Sequence, residues 1–199
     1  MAKNPLVVIE TRDEVLERYG NMLGALGERE AHKALARAVN RVTNTVHSRV
    51  VRAVAKQTSL TAGRVRKEIK KRQVRPGGMG ALEGVIWATG RPLPLKEFRP
   101  KQFSWGVRAK VWGQTQRFPG AFIYAGTYRS GIYVGNGHVF TNTRGPNTRS
   151  GRNNAVEMMF GPSIPEEMVR GESRRTFEQT VATMLPQRVF HEISRALKF

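Results

Sequence analysis

A chain of 199 residues is long enough for one domain with a real core or for two small ones, and a hydrophobic fraction of 39% suits a folded protein. Thirty-four Lys and Arg against 15 acids give a net charge of +19 and a pI near 11.4, which calls for a polyanionic partner, nucleic acid first and an anionic membrane surface second. There is no cysteine, which excludes disulfides and thiolate metal sites. No apolar run reaches the about eighteen residues of a membrane span, and the first residues hold too short an apolar run for a signal-peptide core, so neither spanning nor secretion by that route is expected.

In chain order, "LVVIE" reads as a short strand, and Thr11 with Glu14 has the capping-box spacing that starts a helix through about Tyr19, interrupted by Gly20, Gly24 and Gly27. From Glu28 to Lys56, Leu35, Val39, Val42, Val46, Val50 and Ala53 recur every three or four positions and predict one buried helix face. Opposite them on the wheel lie Lys33, Arg37, Arg41, Ser48 and Arg52, with Lys56 at the margin and Asn44 between. A solvated face is the ordinary meaning of such a stripe. Here the charge is one-sided: between Lys33 and Arg75 there are thirteen cations (33, 37, 41, 49, 52, 56, 64, 66, 67, 70, 71, 72 and 75) and one acid, Glu68, so the segment carries +12. A solvated helix normally mixes signs to gain i,i+4 pairs. The candidate nucleic-acid or acidic-partner residues are therefore Lys33, Arg37, Arg41, Arg49, Arg52, Lys56, Arg64, Arg66, Lys67, Lys70, Lys71 and Arg72.

A second helix is expected from Ala62 to Gln73, capped by Thr61 and ended by "RPGG". With Ala55, Leu60, Val65 and Ile69 it partly matches a helix-turn-helix, but Ser59 stands where a glycine is wanted, Thr58 and Glu68 occupy positions that usually face the core, and the preceding helix is too long for a recognition unit.

After Gly80 the period becomes alternating. "ALEGVIWATG" and "SWGVRAKVWG" predict strands, the second with Trp105, Val107, Ala109 and Val111 on one face and Arg108 and Lys110 on the other. Trp87, Trp105 and Trp112 are expected in the core rather than in base stacking. "GRPLPLKEF" reads as a fixed connector or edge segment. "FPGAFIYAG" and "GIYVGNGHVFTN" continue the sheet, with a tight turn at Gly135-Asn136-Gly137. Residues 143–154 read as a mobile loop. "VEMMFGPSIPEEM" leads through a strand into a turn with prolines at 162 and 165. The last helix, Glu172 to Leu197, has apolar stripes Phe177, Val181, Met184 and Val189, Ile193, Leu197 on either side of Pro186, whose bend would turn both to one core.

No chemistry-bearing pattern accompanies these elements. Asp13 is the only aspartate, histidines 32, 47, 138 and 191 lack metal-ligand spacing, and no P-loop, G-x-S-x-G or carboxylate-pair pattern occurs. No catalytic residue, cofactor site or metal site is assigned, and the protein is expected not to be an enzyme. The fold class is α+β: long basic N-terminal helices and a C-terminal helix packed around an antiparallel β-sheet. Its parts are a helical basic region (1–76), a β region (77–170) and a C-terminal helix (171–199) on the same core, one domain overall.

The stretches "SRVVRAVAKQTSLTAGRVRKEI", "GRPLPLKEF", "GVRAKVWG", "FPGAFI" and above all "FGPSIPE" resemble, in order and spacing, the prophage minor tail protein Z family of long-tailed bacteriophages, over roughly residues 30–170. The segment "TYRSGIYVGNGHVFTNTRGPNTRSGRNN" is longer than that family's central hairpin. The resemblance implies a non-enzymatic tail completion protein at the head-proximal end of the tail, assembled in the host cytoplasm, carried in the virion and needed to seat the genome end. It implies as partners the tail terminator or tail tube subunits, other neck proteins, the tape measure protein and phage double-stranded DNA, with no membrane, and a homo-oligomeric ring, a hexamer by analogy. Two alternatives stay open: a sequence-specific DNA-binding regulator using segment 51–72, and a structural adaptor whose basic face meets acidic tail subunits.

Overall fold

The structure, a computed structural model, describes residues 7–10, 19–75, 81–127, 133–143 and 156–197. Its elements in chain order are β1 (Val7–Glu10), α1 (Gly20–Leu26), α2 (Glu28–Thr58), α3 (Ala62–Glu68), β2 (Ile69–Arg72), β3 (Glu83–Ala88), a 3-10 turn (Leu95–Phe98), β4 (Lys101–Phe103), β5 (Gly106–Val111), β6 (Gln114–Pro119), β7 (Phe122–Thr127), β8 (Tyr133–Asn142), β9 (Val156–Met158), α4 (Ile164–Met168) and α5 (Gly171–Ala196). The class is α+β, and every strand pairing among the described residues is antiparallel. Where one continuous sheet was expected, the described strands form three sheets, in the orders β1-β3-β2, β4-β5-β6 and β7-β8-β9. The expected helix from Thr11, the "PGG" after Arg75 and nearly all of the 143–154 loop lie outside the described residues.

Helix α2 is the axis of the fold. Gly27, at φ 71°, separates it from α1, which begins at Gly20 and runs through Gly24 without a break. Glu28 and Glu30 sit in its first turn, where the helix dipole favours acids. Leu35, Val39, Val42, Val46, Val50 and Ala53 are all buried, as their spacing requires. Burial extends further round, to Ala34, Ala36, Ala38, Val51, Val54 and Ala55, because the helix is covered from more than one side. Against β3 the approach is close. A Cβ on Gly84 would lie 2.1 Å from Thr43 Oγ1 and 3.2 Å from Val39 Cγ1, so only glycine fits there.

Ser59 ends α2 in the left-handed conformation that the turn requires (φ 69°), and its hydroxyl accepts from the Gly113 amide at 2.9 Å. The Thr61 side chain caps α3 by accepting from the Arg64 amide. The expected helix to Gln73 stops at Glu68, however, and the chain continues as β2, an edge strand paired with β3 from Ile69↔Ala88 to Arg72↔Val85. Lys70, Lys71 and Arg72 are thus strand residues; cations on a sheet edge also discourage pairing with another chain.

Within β5, Val107, Ala109 and Val111 are buried while Arg108 and Lys110 are exposed, as alternation predicts. The tryptophans depart from expectation. Trp87 is half-buried, but Trp105 and Trp112 are 38% and 48% exposed because each lies in a turn beside a strand. Gly135-Asn136-Gly137 is not a hairpin turn either: all three have positive φ within β8, opposite a register shift between Tyr124 and Gly126. A Cβ on Gly135 would meet the Tyr124 carbonyl oxygen at 2.6 Å.

The segments "GRPLPLKEF" and "FGPSIPE" meet. Gly161 donates to the Leu93 carbonyl (2.7 Å), Leu93 to that of Pro162 (3.3 Å) and Leu95 to that of Met159 (2.9 Å), while a Cβ on Gly161 would lie 2.5 Å from the buried Phe98 ring. The connector is a core element. One apolar cluster holds Val39 and Val46 of α2, Ile86 of β3, Phe98, Val107 of β5, Val139 of β8 and Ile193 of α5. Both apolar stripes of α5 reach it: Val189 and Ile193 are fully buried, and Phe177, Val181 and Met184 pack on its margin, with Pro186 inside the helix.

Candidate phosphate-binding groove

Two hydrogen bonds set α5 against α2. Arg37 Nε donates to Glu192 Oε2 at 3.0 Å and Arg49 Nη1 to Thr180 Oγ1 at 3.3 Å, so a step of twelve residues along α2 is matched by twelve back along α5. The helices are therefore antiparallel neighbours. Their facing shoulders enclose two depressions of about 430 and 360 Å³. Arg41, Asn44 and Arg188 line both, which makes them one groove.

Six arginines (37, 41, 49, 52, 188 and 195) line this groove against a single carboxylate, that of Glu192. Glu192 is 8% exposed and already committed: besides Arg37 it has Arg195 at 3.9 Å and the His191 ring at 3.7 Å. Arg41 and Arg52 are exposed and, among the described residues, have no carboxylate within ion-pair distance. From Arg37 to Arg52 the α2 wall runs about 22 Å at about 1.5 Å per residue. Guanidinium forks along such a wall suit a row of phosphates.

The predicted site residues divide. Arg37, Arg41, Arg49 and Arg52 lie in the groove. Lys71 of β2 reaches it indirectly, its ammonium donating to Asn44 Oδ1. Lys33 is ion-paired with Glu30 one turn back, and Lys56 is exposed beyond the groove lining. Arg66, Lys67 and Lys70 are exposed on α3 and β2, and Arg72 lies 3.6 Å from Glu83. Arg64 is engaged within the fold, donating to Glu97 (2.5 Å) and Glu68 (2.7 Å). Burial works against its charge, yet these two hydrogen bonds prevail and raise its pKa above the ordinary arginine value.

Arg188, His191 and Arg195 of α5 were not foreseen. Their i, i+3, i+7 spacing marks one helix face and was readable in the sequence. The register that lays this face beside Arg37 and Arg41 was not. Among the described residues no cluster of His, Cys, Asp or Glu could hold a metal ion, and no helix is long and apolar enough to cross a membrane. No protein-family model, curated protein or solved structure matches the chain.

Proposed function

We propose that the protein is a non-enzymatic structural component of a bacteriophage tail, a tail completion protein at the head-proximal end, whose α2–α5 groove holds phosphates of duplex DNA without reading sequence. The observation that carries this reading is the groove itself, six arginines facing one engaged carboxylate. Duplex DNA presents one negative charge per about 1.7 Å of axis and matches that excess in any sequence. A seven-residue α3 followed directly by a strand offers little to a major groove, which favours backbone contact over base readout. The tail assignment is supported by the motif set described above, two members of which hold each other in the core.

The test is complementation of a phage lacking the gene with the variant Arg41→Glu, Arg52→Glu, Arg188→Glu. Particles should contain the protein and join heads to tails, while the genome end is poorly retained and plaques decline. Failure of the variant to enter particles would place the groove against acidic tail subunits instead. Normal infectivity would reduce it to a solvated face.

A further inference from the structure

The β4-β5-β6 sheet has a cationic face of its own. Its register sets Arg108 directly opposite Lys101 on one side and Arg117 on the other, and all three are exposed. Lys110, two residues along β5, points the same way. Like charges at directly opposed cross-strand positions repel. Among the described residues none of these four cations is ion-paired with a carboxylate, and the sequence from Phe98 to Val156 contains neither Asp nor Glu.

Two aromatic rings organise these cations. Phe103 and Trp105 stack with centroids 5.4 Å apart and planes 10° from parallel. The Arg108 guanidinium lies 4.7 Å over Phe103, and that of Arg117 lies 5.4 Å over Trp105. A guanidinium held through its face is fixed in position with its N–H edge free for another partner. Neither guanidinium donates a hydrogen bond to another described residue. Strand contacts thus hold two preorganised forks beside a 38% exposed tryptophan.

We propose that this face binds single-stranded nucleic acid, with Lys101, Arg108, Lys110 and Arg117 on its phosphates and its unpaired bases against the outward guanidinium planes of Arg108 and Arg117 and the part of Trp105 that its contacts with Phe103 and Arg117 leave exposed. An acidic peptide would match the charge alone and leave the aromatic surface unused, whereas a single strand offers both a phosphate row and bare π-faces. The inference rests on the sheet and does not require the α2–α5 groove.

The experiment is an anisotropy titration of the full chain with a labelled oligothymidylate of roughly twelve nucleotides across a range of salt, with poly-glutamate as competitor. Arg108→Gln/Arg117→Gln should bind at least about tenfold more weakly. It should also lose about 1.4 from the log–log salt slope, at about 0.7 per phosphate contact on a single strand. Lys101→Gln/Lys110→Gln, which leaves the aromatic stack intact, should shift the slope in the same direction. Trp105→Leu should weaken oligothymidylate more than poly-glutamate. The groove variant Arg41→Gln/Arg52→Gln should keep the sheet's share of the slope, so that failure of one site is distinguishable from failure of the other. Unchanged binding in both cation variants, or equal loss of oligothymidylate and poly-glutamate in Trp105→Leu, would overturn the proposal.

Discussion

His47 lies on α2 where it meets β2, 8% exposed, its Nε2–H donating to the Ile69 carbonyl at 3.1 Å in the tautomer that this contact implies. Burial depresses its pKa; the hydrogen bond to Ile69 opposes that shift, and Lys71 and Arg66 add to it. The unfolded chain, with an ordinary value of about 6.5, takes up a proton before the folded one does. Stability is therefore full above about pH 6.5 and declines as the pH falls towards the depressed folded value. His47→Gln, which can keep a donor on Ile69, should remove that part of the decline when chemical unfolding is compared at pH 7.5 and 5.5. An identical pH dependence in wild type and variant would show that His47 is not the titrating group. At this scale the sequence was informative about residue type and silent about use. Ser59 stood out as a wrong residue for a left-handed turn, and only the Gly113 amide on its hydroxyl explains why it serves there.

Among elements, α2 was legible because three- and four-residue spacing over 31 residues leaves little freedom. The α3–β2 junction was not. Ile69 reads equally well as the next apolar helix position or the first inward strand position, and its pairing with Ala88 in β3 decides the matter. The antiparallel seating of α5 on α2 likewise depends on contacts such as Arg37 with Glu192. This pair divides the arginines of the groove into structural and free. Arg37→Gln leaves the largely buried Glu192 carboxylate with only its more distant neighbours and should cost about 1–2 kcal/mol. Arg41→Gln, which breaks no pair with a described residue, should stay within about 0.5 kcal/mol. Denaturant melts of the two single variants check this, and equal effects would contradict the division.

Over the whole molecule, composition was the most informative signal: part of the +19 excess gathers, among the described residues, into a cationic surface between helices and another on a sheet. The division of the strands into three sheets was invisible to alternation, which reports which face is buried but not which strand is the neighbour. The exposed turn tryptophans were missed for a related reason, since a residue at a strand's end escapes the strand's own periodicity.

The central claim, that the α2–α5 groove holds duplex phosphates without reading bases, is tested most directly by the salt dependence of binding to random-sequence duplex. Wild type should show a log–log slope of about −4 to −5, as for about five neutralised phosphates, with no preferred site. Arg41→Gln/Arg52→Gln/Arg188→Gln should be shallower by about 2.7 while remaining folded. An unchanged slope in that variant, or a site bound about a thousandfold better than random duplex at fixed salt, would contradict it.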